Sequence, residues 1–313
     1  MSAGGGKKAV VAALAANLGI AASKFGAFLI TGSSSMLAES AHSVADSGNQ
    51  ALLLHGHRRA EQAANREHPF GYGRYRYFYS FVVALVLFSL GSLFALYEGI
   101  EKLRHPHELS SPFVAVAVLI VAVGLEGFSF RTAIIESNAV RDGRGWWQFI
   151  RRSKAPELPV VLLEDAGALL GLLFALAGVG LTILTADPVW DGIGTLAISL
   201  LLGVIAIVLA FETKSLLIGE AADPAVLEKI CEALESTPQV TRVIHLRTQH
   251  LGPEELLVAG KIEIDRSCTV PELAETIDAA ERGVRDAVPI ARVIYLEPDL
   301  YRAPSGADAP ASV

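Results

Sequence analysis

Between positions 9 and 211 the chain carries a succession of apolar stretches, each near the roughly 20 residues that a helix needs to cross a bilayer core. Six stand out between breakers, at about 9–31, 35–56, 77–101, 112–135, 158–185 and 189–210. An even number returns the chain to the side on which it started. The first is rich in Ala and Gly and lacks a short apolar core followed by a cleavage site, so it reads as a retained span. The second would be missed by hydropathy alone, because Glu39, His42, Asp46, Asn49 and Gln50 dilute it. Its apolar residues and its lack of proline still predict a helix, and something must compensate those polar groups.

Composition agrees: 52% of the 313 residues are hydrophobic and only 19% charged, which excludes an ordinary soluble domain or a disordered chain over this region. A formal charge of −7 offers no basic face for nucleic acid. Lys and Arg sort by connection instead. Lys7 and Lys8 precede the first span; Arg58, Arg59, Arg66, Arg74 and Arg76 follow the second; Arg141, Arg144, Arg151, Arg152 and Lys154 follow the fourth; Lys214 follows the sixth. The opposite connections are almost devoid of them, with only Lys102 and Arg104 near His105. The positive-inside rule therefore predicts both termini on the cytoplasmic side. Cys231 and Cys268 have no CxxC spacing, which fits a reduced setting without a disulfide or structural zinc framework.

From Asp223 the pattern changes. Asp223-Pro224 opens a helical stretch to Glu235, alternation at 240–249 and 256–264 predicts two strands around a Gly252-Pro253 turn, and Ser267 or Thr269 is placed to cap a second helix running to Val288. A last strand covers 291–296. The expected organisation is a six-helix membrane domain over 1–214, a small α+β (αββαβ) cytoplasmic domain over 215–302 with one sheet and its helices on one face, and a disordered tail over 303–313.

The chemistry lies inside the bilayer. His42 and Asp46 stand four apart, one turn above the other on one helix face, and Asn49 continues the stripe. A carboxylate at membrane depth costs about 2.5–3.5 kcal/mol on insertion scales, so it must face a partner, an ion or water. An imidazole nitrogen with a carboxylate oxygen suits zinc and its first-row neighbours. Glu164 and Asp165 open the fifth span, pointing about 100° apart, so only one aligns fully with a given site. Asp165, one residue deeper, is the better ligand; Glu164 is left to bind a proton, reach the ion less directly or pair with a base. Glu126 and Glu98 each demand partners, either of which Lys24 could supply, while Asp187 and Asp191 at a span end read as helix caps.

The segment Ser33-Ser34-Ser35-Met36-Leu37-Ala38-Glu39-Ser40-Ala41-His42-Ser43-Val44-Ala45-Asp46-Ser47-Gly48-Asn49 closely resembles the second-helix signature of the cation diffusion facilitator family. His68-Pro69-Phe70-Gly71-Tyr72-Gly73-Arg74 resembles that family's motif before the third helix, and six spans followed by αββαβ matches its plan. The resemblance implies a homodimeric antiporter that exports zinc, manganese, iron or cobalt from the cytoplasm against protons, with no cofactor and no enzymatic activity. For a bacterial chain it implies the plasma membrane. The rival readings are a membrane-embedded metal hydrolase, for which an H-E-x-x-H pair is missing, and a non-transporting interaction protein that keeps the fold.

In that family two residues four apart on the second helix and two on the fifth hold the metal. His42, Asp46 and Asp165 match three of them; the fourth falls on Val161, a departure that resembles the zinc-transporter-9-like branch, and Glu164 is the candidate substitute. The family's loop site keeps His68 but has Tyr72 at the partner position, leaving His55, His57 and Glu67 as local alternatives. In the cytoplasmic domain Ile244, Lys261 and Tyr295 occupy the family's ligand positions, so little metal binding is expected there, and His245 and His250 read as strand surface residues. Arg74 resembles a position that pairs with an acid after the sixth span; Glu220 is the nearest candidate.

Overall fold

The computed structural model describes residues 5–31, 34–106 and 112–302; within the second helix the side chains of Glu39 and His42 lie outside the described residues, as do the residues of the 303–313 tail. The chain divides into two compact units, Met1–Leu217 and Ile218–Val313.

In the first unit α1 (Gly5–Thr31) packs against α2 (Ser34–Ala60), α5 (Pro112–Val140) and α7 (Glu157–Thr185), and α5 packs on α7. The third span is a composite: α3 (Tyr75–Val86) runs through a π-helical stretch, Leu87–Leu93, into α4 (Phe94–Arg104). A short α6 (Trp146–Arg152) precedes α7, and α8 (Val189–Ile218) completes the set. Five of the helices are long and apolar enough to cross a membrane by themselves, among the described residues. The 27 residues of α2 span about 40 Å, so length suffices and the polar stripe alone lowers its hydropathy.

Lipid gives apolar side chains no reason to turn inward, so small residues and polar contacts hold the helices. A Cβ added at Gly178 would lie 2.9 Å from the Trp190 carbonyl oxygen, and one at Gly194 3.0 Å from that of Phe174. Glycine is what lets α7 and α8 approach this closely. Ser92 in the π-helical stretch and Ser199 in α8 exchange hydrogen bonds, each hydroxyl donating to the other's carbonyl at 2.9 Å. The α7–α8 turn places Ala186 at φ 58°, and Asp187 Oδ1 accepts the Val189 N–H at 3.0 Å, so Asp187 does act as a cap. Asp191 does not: its carboxylate meets Lys102 at 2.9 Å, and Lys102 also meets Glu98 at 3.2 Å. The cap position was already filled one turn earlier, and Glu98 takes its cation from its own helix, not from Lys24.

The second unit contains α9 (Pro224–Glu235), β1 (Val240–Gly252), β2 (Glu255–Ile264), α10 (Val270–Ala287) and β3 (Val293–Asp299). The sheet order is β1-β2-β3, with β1 and β2 antiparallel and β2 and β3 parallel across the α10 crossover. Alternate residues of β2, Leu256, Val258, Ile262 and Ile264, are buried against Ile230 and Leu234 of α9 and Ala280 and Val284 of α10. Thr269, rather than Ser267, starts α10: the Glu272 carboxylate accepts its backbone N–H at 2.7 Å and its hydroxyl at 2.8 Å. His250 is a correction to the expected surface placement, since it is only 3% exposed. The segment leading into the unit runs beside the end of β1, with His250 N–H donating to the Glu220 carbonyl and Ala222 N–H to Thr248 Oγ1, and this covers the position.

Candidate metal site

At the start of α7, Pro156 occupies the cap position and Glu157 falls in the first turn. Glu157 is buried and receives two hydrogen bonds from the Arg76 guanidinium of α3, Nε to Oε1 and Nη2 to Oε2. Arg76, which sequence alone presents as one of the positive-inside charges, thus joins α3 to α7 in a two-point pair.

Two turns along α7, Glu164 and Asp165 are 8% and 1% exposed. They take different partners, as their angular separation requires. Glu164 turns to α2, where Asn49 Nδ2 donates to Oε1 at 2.9 Å and Gln50 Nε2 to Oε2 at 3.0 Å. Gln50 in turn accepts from Asn17 Nδ2 of α1 at 3.2 Å, so three helices share one polar chain. Asp165 instead meets α5, with Ser129 Oγ donating to Oδ2 at 2.6 Å. One turn before Ser129, Glu126 is 3% exposed, and it interacts electrostatically with Asp165, Glu164, Asp46 and Lys24. Asp46 is half-buried. Val161 is fully buried in the apolar core and offers no donor.

Among the described residues, Asp46, Glu126, Glu164 and Asp165 thus neighbour one another within a helix bundle, with Lys24 in reach. In such surroundings like charges need compensation from cations or protons. Among the described residues no three His, Cys, Asp or Glu side chains come together closely enough to hold an ion, and the His42 side chain lies outside them. Asp46, Glu164 and Asp165 are brought into one electrostatic neighbourhood. Sequence reasoning missed Asn17, Ser129 and Glu157. A lone serine in an apolar helix carries no spacing signal, and Glu157 at a span boundary is indistinguishable from an ordinary interfacial acid.

Away from this centre, His68 packs on the Tyr72 ring with centroids 4.5 Å apart, and the Tyr72 hydroxyl accepts from Asn65 Nδ2 at 2.8 Å. His57 faces Glu61 at 3.4 Å and His55 accepts from Arg59 Nε at 3.4 Å. Arg74 is exposed at the start of α3, in the first unit, and Glu220 is half-buried in the second.

Residues 10–218 match the model of the cation efflux transmembrane domain. The chain belongs to the cation efflux family. Residues 222–299 match the family's cytoplasmic domain. A zinc antiporter of Xenopus laevis, named "Proton-coupled zinc antiporter SLC30A9, mitochondrial", is 33% identical over 76% of this chain and 43% of its own length. Metal tolerance protein C4 of Arabidopsis thaliana is 30% identical over 84% of this chain and 58% of its own. The magnetosome protein MamB of Paramagnetospirillum magneticum is 26% identical over 86% of this chain and 85% of its own. The cation efflux chain therefore spans less than half the length of the antiporter relatives that it matches. It is a multi-pass membrane protein of a metal-transporting family, with the fold that the sequence pattern predicts: membrane helices followed by a three-stranded α+β domain.

Proposed function

We propose that this protein is a proton-coupled antiporter that moves a divalent first-row metal, zinc or a neighbour such as manganese, iron or cobalt, out of the cytoplasm. The observation that carries this reading is the burial of Glu164 and Asp165 of α7 beside the polar stripe of α2, in the neighbourhood of Asp46 and Glu126. His42, Asp46 and Asp165 are the ligands, with Glu164 beside them. The zinc antiporters among the relatives support the metal and the proton as the exchanged ions.

Every ligand must be deprotonated to coordinate, so metal and protons compete for the same groups. Metal binds neutral His42 and ionised Asp46 and Asp165 from the cytoplasmic side. Rocking of the helices presents the site to the opposite side, where protonation drives release and the protons return inward. The match of residues 222–299 to a family cytoplasmic domain supports a homodimer held by that domain, with both termini cytoplasmic and, for a bacterial chain, the plasma membrane as its location. Arg74 and Glu220 are the pair proposed to lock the dimer. The His68 site is weak, because Tyr72 offers a phenol where a second histidine would coordinate.

The test is uptake of zinc, manganese, iron and cobalt into proteoliposomes under an imposed pH gradient. Gradient-dependent uptake that Asp46→Ala and Asp165→Ala both abolish is the expected result. Uptake that survives both changes, or that ignores the gradient, would sink the proposal.

A further inference from the structure

We infer that the side-chain amide oxygen of Asn49 is a ligand of the transported cation and supplies the donor that Val161 lacks. This rests on the reading of His42, Asp46 and Asp165 as the transport site. Asn49 is 2% exposed, and its Oδ1 is fully buried without a hydrogen-bond partner. Leaving a buried amide oxygen unpaired is costly, and such an atom in a native interior calls for an explanation.

The surrounding contacts say which way that oxygen faces. Asn49 Nδ2 donates to Glu164 Oε1, and an ionised carboxylate accepts only, so beside ionised Glu164 the amide nitrogen faces the carboxylate and the oxygen faces elsewhere. Asn49 lies three residues after Asp46 and seven after His42, on the same stripe of α2. Helical side chains lean toward the N-terminus of their helix, which lays the Asn49 amide over the turn that carries Asp46. Glu164, the other candidate for the fourth ligand, has both oxygens engaged, one by Asn49 and one by Gln50. Glu164 is then a positioning residue that aims the amide, and the Asn17–Gln50 hydrogen bond steadies it from α1.

The resulting donor set is one imidazole nitrogen, two carboxylates and one neutral amide oxygen. Its two negative charges match a divalent ion. Its oxygen content suits manganese, iron and zinc better than a thiophilic ion such as cadmium.

A thiol at the same position provides the direct test. In full-length protein carrying Cys231→Ser and Cys268→Ser, Asn49→Cys is expected to place one sulfur at about 2.3 Å from bound zinc by X-ray absorption, with none in the Asn49 parent. Asn49→Ala is expected to weaken zinc binding at least about tenfold, the loss that disturbing even an outer partner of a metal ligand produces. Zinc bound by Asn49→Cys with no sulfur neighbour, or by Asn49→Ala with parental affinity, would overturn the inference. A measurement that needs no substitution at position 49 is electron–nuclear double resonance of manganese bound to protein labelled with 13C at the asparagine amide carbon. A coupled carbon is expected, and its absence from the bound ion would equally overturn the assignment. Asp165→Ala separates the two levels. Undiminished binding in that variant defeats the His42, Asp46 and Asp165 site itself; binding lost there but intact in Asn49→Ala defeats only the role of Asn49.

Discussion

Both units bury an apolar core, but only the membrane unit also buries a set of acids and amides. In the cytoplasmic unit the packed core is apolar, from Ile230 and Leu234 through Leu256, Val258 and Ile262 to Ala280 and Val284. In the membrane unit Asn49, Gln50, Glu126, Glu157, Glu164 and Asp165 are buried, while Leu29, Ile30, Phe113, Leu184 and Leu200 stand on the outside. Water rewards turning apolar groups inward and lipid does not, so the membrane unit is free to spend its interior on chemistry. Cohesion comes from different sources in each. In one it is area removed from water; in the other it is close backbone approach and satisfied polar groups.

That contrast fails if the buried polar groups of the membrane unit are passive. The largest expected effect is at Arg76 and Glu157. Arg76→Ala leaves the Glu157 carboxylate buried without its cation, which costs about 3–5 kcal/mol, whereas replacing both residues by apolar ones of similar volume is expected to be close to neutral or stabilising. Unfolding of these two variants in lipid, compared with the parent, reads this directly. A double variant as unstable as Arg76→Ala would show that the pair does more than satisfy itself. On the apolar side, Ile262→Ala removes a fully buried side chain from the sheet face and is expected to cost about 2–5 kcal/mol, visible as early loss of hydrogen-exchange protection across β1, β2 and β3.

Smaller effects sharpen the comparison. Ser129→Ala removes the hydroxyl that holds Asp165 Oδ2, a hydrogen bond to a charged group worth about 1.5–3 kcal/mol. It is expected to weaken metal binding while leaving the melting of the cytoplasmic unit unchanged. Equal affinity in Ser129→Ala would place Asp165 under other control. Thr269→Ala is the counterpart in the water-exposed unit: loss of the α10 cap is expected to cost about 1 kcal/mol there, with no change in metal binding.

What could be read in advance follows the same division. The long apolar helices and the alternation of β2 were legible because burial and lipid exposure both leave periodic traces in sequence. Helix α2 was legible for the opposite reason, since Asp46 and Asn49 on one stripe make sense only in a helix with something to face. His250 was not, because its burial depends on the Glu220–Ala222 segment lying beside β1, a contact between stretches with no pattern of their own. Nor was the division of labour between Glu164 and Asp165. Spacing shows that adjacent acids diverge, but only the placement of Asn49, Gln50 and Ser129 on neighbouring helices decides which acid meets which helix.

The smallest expected effect is the response of the cytoplasmic unit to acid, and its sign can be worked out. The Leu300 backbone N–H and the Lys261 ammonium hold the Asp299 carboxyl below the ordinary carboxylate range. The Thr269 backbone N–H and hydroxyl do the same for Glu272, and the Ser267 hydroxyl and N–H for Asp265. A carboxyl whose folded value is depressed contributes stability that is present above its unfolded value, about 4, and disappears as pH falls through the folded value. Lys261 works at the other end. Hydrogen bonds from it to Glu297 and Asp299 raise its value, so its contribution is present below about 10.4 and disappears only as pH rises through the folded value. Burial pushes the Glu255 carboxyl up despite Arg292, so ionising it above the ordinary range opposes folding and partly offsets the gain from the other three. A broad plateau through neutral pH with a shallow acid edge is the expected profile. Because Asp265, Glu272 and Asp299 face water, the edge should soften further in high salt. Asp299→Asn should make it shallower without moving the neutral plateau by more than the loss of one exposed ion pair, as followed by hydrogen exchange at Ile262 and Ile294 corrected for the intrinsic pH dependence. Stability that rises, instead of falling, as the pH drops through the acid range would mean that the half-buried Glu255 outweighs the exposed carboxylates.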